Sequence, residues 1–158
     1  MPIEKQEFRR VLGHFAAGVT VVTTVNDDGR PHGLTATAFT SVSLEPPLVL
    51  VCVDKRSDSH SHFHTSGVFA VNFLGVDHEH LSRHFAVSGG DKFKDVGFRH
   101  GVTGAPLLRE SLGYVECRIL EIIAGGDHTM FLGQVEAADA RDGEPLLYYR
   151  GAYRRLGT

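Results

Sequence analysis

An antiparallel β-barrel carrying a few small helices is the fold that three features of this 158-residue sequence predict. Runs of β-branched and apolar residues of strand length recur along the chain. Turn residues separate those runs at the spacing of a sandwich or barrel. Few helical stretches alternate with them, as a parallel sheet would require. The composition is that of one globular domain over residues 1–158, with 42% hydrophobic and 22% charged residues, long enough to bury a sizeable core.

In chain order, Phe8, Val11, Leu12 and Phe15 recur at helical spacing and predict a short amphipathic helix before Gly18. Val19–Val25 is almost wholly β-branched and reads as a strand, closed by the turn Asn26-Asp27-Asp28-Gly29. Arg30–Ser43 reads as one extended stretch. Leu48–Val53 is a continuous apolar run expected to be buried on both faces. Ser57 is the expected N-cap of a polar helix ending near Gly67. Val68–Leu74 reads as a strand and His78–Phe85 as one or two helical turns. Ala86–Ala105 lacks periodicity and reads as a long loop of the kind that is usually functional. Gly113–Ala124, Thr129–Ala138 and Leu146–Arg155 complete the strands.

Several functions are disfavoured at this level. Sixteen Lys plus Arg against nineteen Asp plus Glu leave no positive excess for a phosphate backbone, so nucleic acid is not an expected partner. No run of about 18 apolar residues is present, so no membrane span is expected. The polar start Met1–Glu7 does not resemble a signal peptide, which makes the cytoplasm the expected compartment. Cys52 and Cys117 are widely spaced and read as small buried hydrophobes. Gly-x-Gly-x-x-Gly, Walker A, Gly-x-Ser-x-Gly and His-Glu-x-x-His patterns are all missing, so a nucleotide must bind by another route.

Four segments have the composition of a ligand site. If Thr35–Ser43 is extended, Thr35, Thr37, Phe39, Ser41 and Ser43 share one face, a row of hydroxyls around one ring. Ala36 and Ala38 would let a flat ligand approach the backbone. An exposed edge strand rich in Thr and Ser has the same composition. Lys55-Arg56-Ser57-Asp58-Ser59 places cations and hydroxyls at a helix start, a natural phosphate cradle, with Asp58 expected to point away. Gly125-Gly126-Asp127-His128 puts a histidine at the mouth of a strand. Asp91-Lys92-Phe93-Lys94, with Arg83 and Phe85 upstream, offers cations and aromatics on a loop. Of Tyr148 and Tyr149, adjacent on a strand, at most one lines a site. His60 and His64 share a helix face at i, i+4, but no further ligand completes a zinc set, so no metal is expected.

Taken together, these segments resemble the short-chain flavin reductases, the reductase components of two-component flavin-dependent monooxygenases. The markers are Phe15–Thr23, Gly33–Val49, Ser66–Leu74, Asp91-Lys92-Phe93, Gly126-Asp127-His128 and Tyr149-Arg150-Gly151. The resemblance implies a mainly β, antiparallel FMN-binding split barrel, usually a homodimer, that uses NADH or NADPH to reduce FMN or FAD. It implies that Thr37, Ala38, Phe39, Thr40, Ser41 and Ser43 flank the isoalloxazine ring and ribityl chain. By the same analogy Asp54, Lys55, Ser57 and Ser59 meet the flavin phosphate. Arg83, Phe85, Lys92 and Phe93 touch its outer part, and His128 and Tyr149 face the nicotinamide. Where many relatives carry Asn-Ser or Gln-Ser, this chain has Thr37-Ala38, which removes a hydroxyl near flavin N5.

The reaction implied is hydride transfer from nicotinamide C4 to flavin N5, with the protein chiefly stacking two rings. His128 then serves as a positioning or electrostatic residue. Reduced flavin would pass to a separate oxygenase component. Two rivals share the barrel: a non-catalytic flavin- or heme-binding carrier or sensor, and an enzyme like pyridoxamine-phosphate oxidase. The sequence leaves FMN against FAD, and NADH against NADPH, undecided.

Overall fold

The computed structural model describes residues 1–157 and is mainly β, with three short helices and antiparallel sheets. The strands are β1 (Ala17–Gly18), β2 (Thr20–Val25), β3 (Pro31–Ala36), β4 (Phe39–Ser43), β5 (Leu48–Asp54) and β6 (Val68–Phe73). They continue with β7 (Phe98–His100), β8 (Pro106–Leu108), β9 (Gly113–Gly125), β10 (His128–Ala140), β11 (Leu147–Tyr149) and β12 (Ala152–Arg154). The helices are α1 (Lys5–Leu12), α2 (His60–Ser66) and α3 (Glu79–Phe85), the last preceded by a 3-10 turn.

Seven strands form the main sheet in the order β3-β2-β6-β9-β10-β5-β4. Its two edge strands, β3 and β4, are consecutive in the chain and separated only by Thr37 and Ala38. Two intervening residues span at most about 11 Å from Ala36 to Phe39. The edges therefore meet at this junction, and the sheet curls back on itself. The Cys52 amide donates to the Ala38 carbonyl at 3.0 Å, which extends the β4–β5 pairing by one residue into this junction.

Side-chain alternation distributes the core over both faces of the curled sheet. Val22, Val49, Val51, Val53, Phe69, Val71 and Phe131 pack inside it with Phe63 of α2. On the opposite face Val19, Val21, Leu74, Leu81, Phe85, Phe93 and Leu146 form a second cluster beneath α3 and the C-terminal hairpin. The central strands β2 and β6 are thus buried on both sides. The expectation of two buried faces had fallen on Leu48–Val53. There β5 alternates instead, with Val49, Val51 and Val53 buried and Leu48, Leu50 and Cys52 half-covered, because its only outer neighbour is the edge strand β4.

Three other expectations are corrected. Arg30–Ser43 is two strands on opposite sheet edges, because the chain turns at Thr37-Ala38. The loop expected over Ala86–Ala105 contains β7, which pairs with β8 in a small hairpin. The residue before α2 is Ser59, while Ser57 accepts a hydrogen bond from the Ser59 amide at 3.3 Å. The helix before Gly18 is present but ends at Leu12, leaving Phe15 beyond it, and Phe8, Val11, Leu12 and Phe15 are all exposed, so this apolar stripe lies bare on this chain. Both cysteines are free thiols, and burial pushes that of Cys117 up to about 12. Among the described residues no helix is long and apolar enough to cross a membrane.

Candidate functional site

Two cavities lie in series along β3, a strand of roughly 17 Å at the usual rise per residue, and a third lies past its end at Thr37 and Phe39. The first, about 660 Å³, is bounded by Asn26, Arg30, Pro31, His32 and Gly33, by Asp58 and Ser59, and by Gly89–Phe93 and Phe98. The second is a polar groove of about 360 Å³ lined by Leu34, Thr35, Asp54, Arg56, Ser57, Asp58, Phe85, Ala86, Ser88 and Lys92. The third, about 400 Å³, is mostly apolar and formed by Phe15–Thr20, Thr37, Phe39, Phe73, Leu74, Leu112, Pro145 and Leu146.

The fold assembles these walls for identifiable reasons. Gly33 lets β3 pass close over the Phe85 ring, which a Cβ at that position would meet at 3.2 Å. The Gly33 carbonyl accepts from both Ser59 Oγ (3.4 Å) and Lys92 Nζ (3.3 Å), tying the β5–α2 turn and the loop after α3 to one point of the strand. Lys92 also donates to the Phe85 carbonyl at 3.2 Å, and burial holds its ammonium below the usual lysine range. Thr35 Oγ1 donates to the Ser82 carbonyl at 2.6 Å, docking α3 against β3.

The charged rim is organised by two adjacent pairs. Arg56 donates to both oxygens of Asp54, at 3.2 and 2.9 Å, and its amide adds a third hydrogen bond at 2.8 Å. These bonds hold the Asp54 carboxyl down at about 2. Across the ladder Asp54 faces His128, and the Lys55 amide donates to the Asp127 carbonyl at 3.0 Å. His128 Nδ1 lies 2.7 Å from the Asp127 carboxylate, which that hydrogen bond keeps below its ordinary range. An ionised carboxylate can only accept, so Nδ1 carries the proton and Nε2 is the free ring nitrogen.

The structure gathers part of the expected residue set. Thr35, Asp54, Ser57, Phe85 and Lys92 line the groove, Thr37 and Phe39 the apolar pocket, and Ser59 and Phe93 the first cavity with Lys92. The expected common face of Thr35, Thr37, Phe39, Ser41 and Ser43 does not form. Thr35 stands on the opposite edge strand, and an irregularity interrupts the β4–β5 register between Ser41 and Ser43. Ala38, Thr40 and Ser41 are exposed and line none of the three cavities, nor do Ser43, Lys55, Arg83, His128 and Tyr149. Arg83 is held by Glu79 at 2.9 Å and lies over the Tyr153 ring, while Tyr149 stands edge-on to His14. Phe85 and Phe93 are core residues whose rings are 5.1 Å apart. Asp58 was expected to point away but borders two cavities and accepts the Gly89 amide at 2.7 Å. Arg56 was read within the Lys55–Ser59 cradle but given no flavin contact, and Ser88 and the Phe15–Thr20 wall were not singled out as site residues. Among the described residues no group of three His, Cys, Asp or Glu side chains is placed to hold a metal.

Residues 12–157 match the model of the flavin reductase like domain. The chain belongs to that family. It is 44% identical over 152 residues to the reductase component of a 4-nitrophenol 4-monooxygenase/4-nitrocatechol 2-monooxygenase from Rhodococcus opacus, covering 96% of this chain and 81% of that protein. It is 43% identical to an NADH-dependent FAD reductase of Streptomyces globisporus, covering 98% of this chain and 87% of that one. Among solved structures, the S. globisporus NADH:FAD oxidoreductase SgcE6 in complex with NAD and FAD fragments superposes with a TM-score of 0.91 at 42% identity, covering 98% and 93% of the two chains. Nitrilotriacetate monooxygenase component B from Mycobacterium thermoresistibile superposes with a TM-score of 0.92 at 38% identity, covering 97% and 87%.

Proposed function

We propose that this protein is an NAD(P)H-dependent flavin reductase that reduces FMN or FAD and supplies reduced flavin to a separate oxygenase component. One observation carries the reading: the polar groove along β3, with Arg56 and Lys92 among its walls, is followed past the end of the strand by an apolar pocket at Thr37 and Phe39, the order in which a flavin carries its phosphate and its ring. The fit is chemical as well as spatial. Phe15, Phe39 and the small residues Ala16–Gly18 wall the pocket for a flat ring, with the Thr37 hydroxyl at its edge. In the groove Ser57, Arg56 and Lys92 are the donors for a phosphate.

When bound, the flavin supplies the hydride acceptor and the reduced nicotinamide the donor. The chain's own residues bind and orient. Arg56 exchanges part of its bond to Asp54 for a phosphate oxygen, and Ser57 adds a hydroxyl. The apolar walls exclude water from the ring. The exposed Thr37-Ala38 junction leaves one side open to the nicotinamide. His128, held by Asp127 two residues along the sheet from the Ala38–Cys52 contact, acts as a positioning residue on that side with Tyr149.

The curl of the seven-stranded sheet, whose edges join through two residues, supports the split-barrel arrangement. The bare stripe of Phe8, Val11, Leu12 and Phe15, with exposed Leu120 and Ile122 on β9, supports a homodimer that covers these faces. A cytoplasmic location fits the free thiols and the source of reduced nicotinamide.

The test is NADH and NADPH oxidation with and without added FMN or FAD. Turnover that requires added flavin is expected. A protein that oxidises neither nucleotide at any flavin concentration overturns the reading.

A further inference from the structure

We propose that a cavity framed by Arg99, Arg109 and Arg141 binds a phosphate group or a dianion of the same shape, at a site separate from the flavin cavities. The cavity, of about 200 Å³, lies between the β7–β8 hairpin and the paired ends of β9 and β10 near Gly113. Leu112 is the only lining residue it shares with the three cavities at β3 and Thr37. The proposal therefore does not depend on the flavin reading.

Backbone pairing brings the three side chains together. In the β7–β8 ladder Arg99 faces Leu107. The Arg109 amide donates to the Gly97 carbonyl at 3.0 Å, one step past the pair Phe98–Leu108. Arg99 and Arg109 are thus diagonal neighbours on one face, about 7–8 Å apart. Gly97 leaves room for the longer of these reaches, since a Cβ there would meet Arg109 Cδ at 3.1 Å. In the β9–β10 ladder Tyr114 faces Asp139, and the Arg141 amide donates to the Leu112 carbonyl at 2.8 Å, past the pair Gly113–Ala140. Tyr114, Asp139 and Arg141 share a face by the same alternation. The two ladders meet where the Arg99 guanidinium lies 5.6 Å from the Tyr114 ring centre and donates to its hydroxyl at 3.3 Å.

Charge sets this cluster apart. Arg10, Arg56, Arg83, Arg118 and Arg155 each pair with a carboxylate. Among the described residues, Arg99, Arg109 and Arg141 form no ion pair. Glu110, next to Arg109 in the chain, is engaged by His80 at 2.9 Å and lines a different cavity. Asp139 borders the site, and its carboxylate accepts the Ala140 amide at 2.9 Å. Three guanidiniums against one carboxylate leave two positive charges uncancelled, on a chain whose net charge is -3. A dianion cancels them. Each guanidinium also presents N–H donors in a planar fork that matches the oxygens of a phosphate. The volume admits one such group and is below the roughly 300–1,000 Å³ of pockets that enclose whole organic ligands.

The test is a titration of the intact protein with sodium phosphate at neutral pH and constant ionic strength, read from the arginine Nε–H signals in proton–nitrogen correlation spectra. Phosphate and sulfate stabilise folded proteins in general by exclusion from their surfaces, so the side chains and not the unfolding midpoint are followed. The Arg99, Arg109 and Arg141 signals are expected to shift together along one saturating curve. Sulfate should reproduce that curve, and chloride should not. Arg109→Gln and Arg141→Gln should each weaken phosphate about tenfold, the loss of one charge-assisted hydrogen bond, while Arg56→Ala leaves the curve unchanged. Phenyl phosphate titrated in parallel separates the two sources of this chemistry. Tighter binding than phosphate assigns the site to the head group of a larger ligand, and equal or weaker binding assigns it to the free ion. Shifts that stay linear in phosphate, that chloride reproduces, or that are confined to Arg56 overturn the proposal. So do Arg109→Gln and Arg141→Gln variants that bind phosphate as the unaltered protein does.

Discussion

Two polar regions of this molecule, similar in composition, have opposite fates. Around β6, β8 and β9, Thr23, Asn72 and Glu116 are fully or almost fully buried, and each is paired within the protein. Asn72 donates to the Val21 carbonyl and accepts the Leu108 amide, both at 2.9 Å. Thr23 donates to the Pro106 carbonyl at 2.6 Å, and the Thr103 amide and hydroxyl both donate to Glu116, at 2.8 and 2.7 Å. Along β3 the polar groups face cavities instead. Arg56 is exposed and held only by Asp54, and Lys92 is half-buried against two carbonyls. Polarity alone does not mark a site. Polar groups whose pairing is left incomplete at a cavity wall do.

The largest expected effect lies in the sealed region. Asn72→Ala leaves the Leu108 amide buried without its partner and takes the second donor from the Val21 carbonyl, and should cost about 3 kcal/mol in denaturant unfolding. Flavin affinity, measured well below the transition, should be retained; a variant that keeps its stability but loses flavin would reverse the comparison. Gly133→Ala tests the same region sterically. The added Cβ would stand 2.6 Å from the Phe69 ring and 2.8 Å from Cys117 Cβ, an overpacking cost of about 1–3 kcal/mol.

A smaller effect follows pH. Burial lowers His32, His60 and His78, and the Nδ1 of His78 accepts the Gly75 amide at 2.9 Å, which favours its neutral ring. The unfolded chain then binds protons first as pH falls, so stability is lost below the ordinary imidazole value of about 6.5 and present above it. Unfolding midpoints measured from pH 8 to 5 should decline through that window; a flat profile would show that these rings are not sealed. The smallest stability change belongs to the open region. Arg56→Ala removes an exposed, solvent-screened ion pair and should leave the unfolding midpoint essentially unchanged. The same variant should weaken FMN several-fold and leave riboflavin, which lacks the phosphate, unchanged.

Local chemistry made much of this legible. β-branched runs at Thr20–Val25 and Val68–Phe73, the turn at Asn26–Gly29 and the helix stop at Gly67 were readable because each depends on neighbours in the chain. The gathering of cations and hydroxyls at Lys55–Ser59, just before a helix, was readable for the same reason. Illegible were the burial of Phe85 and Phe93 in the core, the engagement of Arg83 by Glu79, and the position of Asp58 between two cavities. Those depend on partners between four and more than thirty residues away.

The sequence by itself determined the strand content, the turns and the segments that carry donors, because backbone propensity and side-chain period act over a few residues. Only the tertiary structure decided that Thr35 and Thr37 serve different cavities and that three walls from distant segments align along β3. The reason is the two-residue junction between opposite sheet edges. Curling the sheet brings those edges together, and no local preference of Thr37 or Ala38 encodes which five strands lie between them.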